Sequence, residues 1–353
     1  MDLATDTLIV TGALGWLGRR LVESLVQGLP DYPALGQPGQ HRRIRALILP
    51  GQDPAPLQRL SPRIEIVVGD VRVPADCARL CAGARGAVIF HTAGIIHPPR
   101  VRDFYAINVG GTDNLLEAAA TAGVRRAVVV SSNSPCGNNP HPDHLFDELS
   151  PYRPYMHYGR SKLRMELAVA ARQARGEIET VVIRTPWFYG LNQPARQSLF
   201  FAMVRDGRAP IVGHGTNLRS MSYLDNLCQG LLLAAASDRA NGQTYWVADR
   251  RPYAMNEIVD TIERLLETEF GHHCAHRRMR LPGIASEVAG VVDFTLQSLG
   301  LYHQKIHVLS EMNKTIACSV VRAERELGYR PAVELEEGMR RSLRWCADNG
   351  VRF

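Results

Sequence analysis

The chain has 353 residues, a formal net charge of +6 and 45% apolar side chains, which suffices for one large α/β domain or two lobes with a substantial core. The positive excess is spread as single arginines, without a Lys/Arg tract or aromatic–basic alternation, and this argues against a nucleic-acid partner. Seven scattered cysteines (Cys77, Cys81, Cys136, Cys228, Cys274, Cys318, Cys346) and a start that reads directly into a strand predict a cytoplasmic protein with reduced thiols, and no apolar run reaches the ~18 residues of a membrane span.

In chain order, Thr7–Thr11 reads as an apolar strand and Gly15–Gln27 as a helix, with Gly12, Gly15 and Gly18 at the turn between them. The stretch Gly28–Arg43 is rich in Gly and Pro and predicts a surface insertion. Strands are expected at Ile44–Leu49, Ile64–Val68, Ala87–Phe90, Ala127–Ser131 and Val181–Arg184, and helices at Phe104–Ala122 and Tyr155–Arg175. This alternation predicts a doubly wound parallel sheet, with ligands at the carboxyl ends of its strands. After Pro186 the pattern weakens. Helices at Leu224–Ala236, Asn256–Phe270, Pro282–Gly300 and Val320–Leu327 and a strand at Thr244–Ala248 suggest a smaller, interleaved C-terminal lobe. Residues 1–185, with 219–248 returning, are assigned to the sheet domain, and residues 186–218 and 249–353 to a substrate lobe.

The chemistry-bearing residues fall at predicted strand ends. A turn of three glycines lets a helix N-terminus approach a pyrophosphate without side chains in the way. Asp70 and Val71 follow the third strand, where a carboxylate can accept from an adenine amino group, and Thr92-Ala93-Gly94 follow the fourth. Asn108, four residues before Thr112, can brace neighbouring strands through its amide. Ser131, Ser132 and Ser134 end the fifth strand. Tyr158 and Lys162 lie one helical turn apart, and an ammonium beside a phenol favours the phenolate and lowers a pKa that is ordinarily about 10. The cluster Gly271-His-His-Cys-Ala-His276 lacks the spacing of a metal site, and Cys77 and Cys81 read as packing residues.

Taken together, TGALGWLG, GDV, HTAG, NVGGT, SSNS, YGRSK and ELGYRP resemble the extended short-chain dehydrogenase/reductases, over almost the whole chain. The resemblance implies a Rossmann domain that binds a nicotinamide dinucleotide. It makes Tyr158 the general acid/base, Lys162 its partner and the holder of the nicotinamide ribose, and Ser132 the catalytic hydroxyl. Gly12, Gly15, Trp16, Leu17 and Gly18 would seat the pyrophosphate, Asp70 and Val71 the adenine, with Thr92, Ala93, Gly94 and Asn108 lining the cofactor. Leu49 stands where NADP users of this kind carry arginine, so NAD is expected and NADP remains open, with Arg19 and Arg20 as compensating cations and Asp53 as a ribose acceptor.

The resemblance leaves the substrate divided. Ser132-Asn133-Ser134 replaces the Thr-Asp-Glu of the family's 4,6-dehydratases, which argues against water elimination. Trp187 stands where many epimerases carry Asn. This and the C-terminal motifs are similar to the 3β-hydroxysteroid dehydrogenase branch, which implies an alcohol–ketone oxidoreductase acting on a ring-like substrate. Arg219 points instead to a nucleotide-sugar 4-epimerase or 4-ketoreductase with retained NAD, because sugar-nucleotide enzymes grip a diphosphate there. Ser134, Trp187 and Arg219 are the candidate substrate contacts. A third alternative, a non-catalytic redox sensor, conflicts with the intact Ser132, Tyr158 and Lys162. The expected partner is a small molecule, and a homodimer is expected. The helix Pro282–Gly300 is assigned to a lobe or subunit contact rather than to a membrane.

Overall fold

The computed structural model describes residues 3, 5–35 and 42–353. Along the first half run β1 (Thr7–Thr11), α1 (Trp16–Gln27), β2 (Arg43–Ile48), α2 (Ala55–Gln58), β3 (Ile64–Val68), α3 (Pro74–Cys81), β4 (Val88–His91), α4 (Val101–Tyr105), a π-helical turn (Ala106–Gly111), α5 (Thr112–Thr121), β5 (Arg126–Val130), α6 (Met156–Ala174) and β6 (Glu179–Arg184). The second half adds β7 (Trp187–Tyr189), α7 (Ala195–Arg205), β8 (Pro210–Val212), β9 (Leu218–Arg219), β10 (Met221–Tyr223), α8 (Leu224–Ala236), β11 (Thr244–Trp246), β12 (Tyr253–Ala254), α9 (Met255–Thr268), β13 (Met279–Leu281), α10 (Ile284–Ser298), α11 (Gln304–Glu311), α12 (Val321–Leu327) and α13 (Leu335–Asp348).

Seven strands form one parallel sheet in the order β11-β6-β5-β4-β1-β2-β3. The two-residue period of the strands sorts their side chains between two cores. Leu8, Val10, Val88, Phe90 and Val128 face the layer of α1, α8 and α12, whereas Ile9, Ile89, Ala127 and Val129 face α3, α5 and α6. Strand order reverses beside β1, which puts the ends of β1 and β4 at the crevice where such sheets bind ligands. A third core lies beyond the sheet, built from α7, α9, α13 and the short strands β7, β8, β10 and β12.

Two predicted elements are corrected. The helix expected over Phe104–Ala122 is three pieces, because residues 106–111 widen into a π turn. There Gly111 lies so close to Val71 that a Cβ would come within 2.6 Å of its Cγ2. The Gly/Pro-rich segment is not wholly a surface insertion either: Leu29, Tyr32 and Leu35 are buried in the core, and the Tyr32 hydroxyl donates to Asn226. Residues 36–41 of that segment lie outside the described residues.

One buried acid ties the second half to the sheet. Asp249 is 1% exposed. It accepts from the Tyr223 backbone N–H at 2.9 Å, Asn226 Nδ2 at 2.6 Å, the Tyr189 hydroxyl at 2.7 Å and the Tyr253 hydroxyl at 3.4 Å. Burial outweighs these four bonds and pushes its pKa up to about 7. The folded chain therefore holds a proton that an unfolded carboxyl, with a pKa of about 3.9, releases. The stability this proton contributes is present below that value and is lost as pH rises through about 7. Denaturant titrations across this interval should show wild type losing stability relative to Asp249→Asn as pH rises; a pH-independent difference would contradict the assignment.

Candidate active site

The glycine turn is shaped by contacts that leave no room for side chains. Gly12 has φ +65°, and a Cβ there would sit 2.9 Å from the backbone of Ala93. A Cβ on Gly18 would sit 2.1 Å from the Gly12 carbonyl oxygen. Gly15 donates to that same oxygen at 2.8 Å and caps α1 without a side chain, leaving the first helical N–H groups facing the turn. Thr92 Oγ1 donates to the Thr11 carbonyl at 2.7 Å, and Thr11 Oγ1 accepts from the Ala93 N–H at 3.2 Å, so the turn and the loop after β4 are bonded into one wall. This bare cradle fits a dinucleotide pyrophosphate. Trp16 and Leu17 turn away from it: the indole N–H donates to the Leu191 carbonyl at 2.7 Å with its ring against Phe188, and Leu17 is buried. Both could reach a cofactor only through their backbone.

The flanking charges are already committed. Asp70 is bonded to the Arg72 guanidinium at 2.6 and 2.9 Å, which holds its carboxyl below the usual range, while Val71 is buried beside Gly111. At the end of β2, Leu49 is 48% exposed, and the Asp53 carboxylate caps the Ala55 N–H at 3.0 Å. Arg20 is buried against Asp225 at 2.5 Å and Arg19 pairs with Glu23 at 3.1 Å. The expectation that Arg20 is free for a 2′-phosphate is therefore corrected: α1 turns Arg20 into the protein, where Asp225 offsets its desolvation, while Arg19 stays at the surface.

The π turn aims Asn108 inward. Its Oδ1 accepts from the Ile95 N–H at 2.8 Å, and its Nδ2 donates to the Ile95 carbonyl at 3.0 Å and to Ser161 Oγ at 3.1 Å. The amide thus braces the loop after β4 against α6 rather than neighbouring strands. A Cβ on Gly94 would lie 3.3 Å from Asn108 Oδ1 and 3.7 Å from Lys162 Nζ. Asn108, Gly94 and Lys162 are therefore close neighbours.

Ser132 and Tyr158 meet at the end of β5. Ser132 Oγ lies 3.2 Å from Ser134 Oγ and accepts from the Ser134 N–H at 3.3 Å. Burial pushes the Tyr158 phenol up to about 12, opposed by its hydrogen bond with Ser132. As the side chains stand, Lys162 has no part in this shift. The ammonium of Lys162 instead donates to the Val130 carbonyl at 2.9 Å, and its own pKa is brought down to about 8 by burial. In this state the phenol keeps its proton. The reason is geometric: from the second turn of α6 the Lys162 side chain reaches the carbonyl at the end of β5.

Two carboxylates escaped the sequence reading. Glu166 accepts from Ser131 Oγ at 2.5 Å and from Arg184 at 2.7 Å, and its charge favours the charged form of Lys162. Its spacing of one helical turn beyond Lys162 was the available signal. The charge of Glu311 acts on both Tyr158 and Arg219, and nothing local in the sequence marks it.

Arg219 and Trp187 form a unit. The guanidinium carbon lies 4.8 Å from the Trp187 ring centre. Arg219 is 2% exposed and donates through Nη2 to the Glu311 carbonyl. Nε and Nη1 are buried with no hydrogen-bond partner among the described residues, and burial lowers its pKa to about 10. Away from this site, His276 Nε2 lies 2.7 Å from Glu267, and no group of three potential metal ligands converges among the described residues. All seven cysteines are buried free thiols.

Residues 8–248 match the NAD dependent epimerase/dehydratase family. The chain belongs to this family. It is an enzyme of the extended short-chain dehydrogenase/reductase group and uses NAD. Uncharacterized protein y4nL of Sinorhizobium fredii (strain NBRC 101917 / NGR234) is 52% identical over 100% of this chain and 98% of its own. The 3 beta-hydroxysteroid dehydrogenase/Delta 5-->4-isomerase of Mycobacterium tuberculosis (strain ATCC 25618 / H37Rv) is 29% identical over 95% of this chain and 89% of its own. Among solved structures, DesIV, a dTDP-glucose 4,6-dehydratase from Streptomyces venezuelae with NAD and TYD bound, is similar at a TM-score of 0.74 and 26% identity, covering 97% of both chains.

For this epimerase/dehydratase-family chain, the clash at Gly18 gives a direct test of the cradle. Gly18→Ala should weaken NAD binding at least about tenfold, because its methyl must displace the Gly12 carbonyl. Calorimetric titration of folded variant, checked by circular dichroism, measures this; unchanged affinity would place the dinucleotide elsewhere.

Proposed function

We propose that the protein is an NAD-dependent oxidoreductase that interconverts a secondary alcohol and a ketone on a ring-like substrate by Ser132-Tyr158-Lys162 chemistry, in the manner of 3β-hydroxysteroid dehydrogenases. The carrying observation is the meeting of Ser132 and Tyr158 at the carboxyl end of β5, with Lys162 one turn further along α6. Residues 186–218 and 249–353 are taken as the substrate lobe, and the cytoplasm, which suits seven free thiols, as the compartment.

Bound NAD would be held by the turn Gly12–Gly18, Val71, the loop Thr92–Gly94 and Lys162, and supplies the hydride acceptor or donor. Ser132 orients the substrate oxygen through its hydroxyl. Tyr158 gives its proton to that oxygen during reduction, a role suited to a phenol held protonated. In the oxidative direction Tyr158 must take the proton, and this requires Lys162 to leave the Val130 carbonyl and face the phenolate. Tyr158 is held in place from behind by the buried Phe104 at 5.7 Å, which in turn meets Tyr302 edge-on at 5.2 Å. Dehydration is a poor fit, because Asn133 has no acidic proton to deliver.

Tyr158→Phe keeps the ring and removes the proton. Turnover should fall about 10²–10⁴-fold with NAD affinity retained. Near-normal turnover of the variant would refute the mechanism.

One observation favours a second reading, a nucleotide-sugar 4-epimerase with retained NAD. The buried, unpaired Nε and Nη1 of Arg219 suit a phosphate oxygen, since a desolvated cation without an anion is costly. The two readings separate on UDP or dTDP binding. If a diphosphate binds there, Arg219→Ala should weaken it roughly ten- to a hundred-fold. If the substrate is an apolar ring, neither nucleotide binds. Trp187→Ala should then cost more substrate affinity than Arg219→Ala.

A further inference from the structure

Helix α10 has its polarity inverted. Its inward face carries Ser286, Asp293 and Gln297, all at most 2% exposed. Each is bonded inside: Ser286 Oγ to the Leu309 carbonyl at 2.8 Å, Asp293 to His307 Nδ1 at 2.7 Å, and Gln297 to Asp293 at 2.9 Å and to the His157 N–H at 3.0 Å. Its outward face carries Ile284, Val288, Val291, Phe294 and Leu299, each more than half exposed, and the face continues into Leu301. A helix packed only against its own chain buries its apolar stripe. Here the lobe uses the polar side, and the contact assigned to this helix from its sequence leaves the apolar side uncovered. A contiguous patch of this kind marks a surface that meets something else.

The surrounding charge identifies the occupant. Arg280, four residues before the helix, is exposed at one end. Arg100, bridged to Leu301, and the exposed Arg102 and Lys305 cluster at the other. The acid on the outer side, Glu287, is neutralised by Lys314. An apolar stripe flanked by cations fits anionic lipid headgroups with acyl chains beneath them. A second copy fits less well. Antiparallel pairing of two α10 helices would set Arg280 of each against the Arg100 and Lys305 end of the other.

We propose that α10 seats this protein peripherally on an anionic lipid surface, with Val291 and Phe294 entering the headgroup–acyl boundary. The surface adjoins the catalytic cleft. Val101 N–H donates to the Gly300 carbonyl at 3.1 Å, and Tyr302, just past the helix, packs on Phe104 and bonds His97 at 2.7 Å. The proposal is independent of which substrate the site takes.

The test is flotation of the full chain with vesicles of phosphatidylcholine alone and of phosphatidylcholine with phosphatidylglycerol in equal amounts, each at low and high salt. The expected result is binding to the anionic vesicles that weakens with salt. Val291→Ser/Phe294→Ser should weaken it about tenfold or more. Arg280→Glu/Lys305→Glu should weaken it on anionic vesicles while NAD affinity and the thermal midpoint stay at wild-type values, which separates lost docking from unfolding. Absence of vesicle binding overturns the proposal. So does concentration-dependent self-association that Val291→Ser/Phe294→Ser abolishes, since a second copy would then cover the face.

Discussion

The hydrogen bonds of the Asn108 amide set the distance on which the candidate site depends. Its oxygen and nitrogen clamp both backbone groups of Ile95, and its nitrogen also reaches Ser161. The loop after β4 and the helix carrying Tyr158 and Lys162 are thereby tied through one side chain. A regular helix over residues 104–122 would rotate position 108 to another bearing. The π turn at Ala106–Gly111 is the local irregularity that makes the clamp possible, and such turns concentrate at functional sites. A second tie runs beneath it: buried His91 bridges Thr11 at 2.7 Å and Thr112 at 2.8 Å, and burial lowers its pKa to about 3, so it stays a neutral connector between β1 and α5.

The sheet was legible because its strands alternate between two buried layers and its helices carry apolar stripes; sequence order then dictates a parallel, doubly wound arrangement. The glycine turn was legible for a harder reason, since positions 12 and 18 tolerate no Cβ. What escaped the sequence was whatever depends on which partner a side chain finds. Residues 106–111 read Ala-Ile-Asn-Val-Gly-Gly, a weakly helical stretch inside a helical pattern, and its composition signals a soft spot without saying that the turn widens to π. Tyr32 sits between prolines and glycines, yet it crosses to Asn226, nearly two hundred residues away in sequence. Periodicity placed a stripe on α10 but could not say which side the lobe covers. Helix spacing brought Lys162 near Tyr158 but could not say that the Val130 carbonyl would claim the ammonium.

Electrostatics in the cleft are asymmetric, and the asymmetry bears on what the cleft accepts. Among the described residues, Lys162 has a single backbone carbonyl as its oxygen partner and Arg219 another. Glu166 is committed to Ser131 and Arg184, and Glu311 acts on Arg219 without a direct ion pair among the described residues. Desolvated cations without close counter-charges raise the energy of the folded protein. Such a site gains from any ligand that brings negative charge, and a dinucleotide pyrophosphate does so at the α1 N-terminus.

That gain also constrains the substrate. With the dinucleotide's negative charge spent at the α1 N-terminus, Arg219 is left as an under-compensated cation, stacked on Trp187 and within the field of Glu311. The Trp187 face stabilises a guanidinium by cation–π attraction at about 0.5–2 kcal/mol, strongest when desolvated. A buried cation costs several kcal/mol. The stack and one carbonyl bond therefore offset only part of the cost. In an apolar-ring enzyme the remainder is a standing loss of stability that Glu311 reduces through space; in a nucleotide-sugar enzyme it becomes binding affinity for phosphate. The same atoms serve either purpose, and the charge of the ligand that reaches Nε and Nη1 determines which.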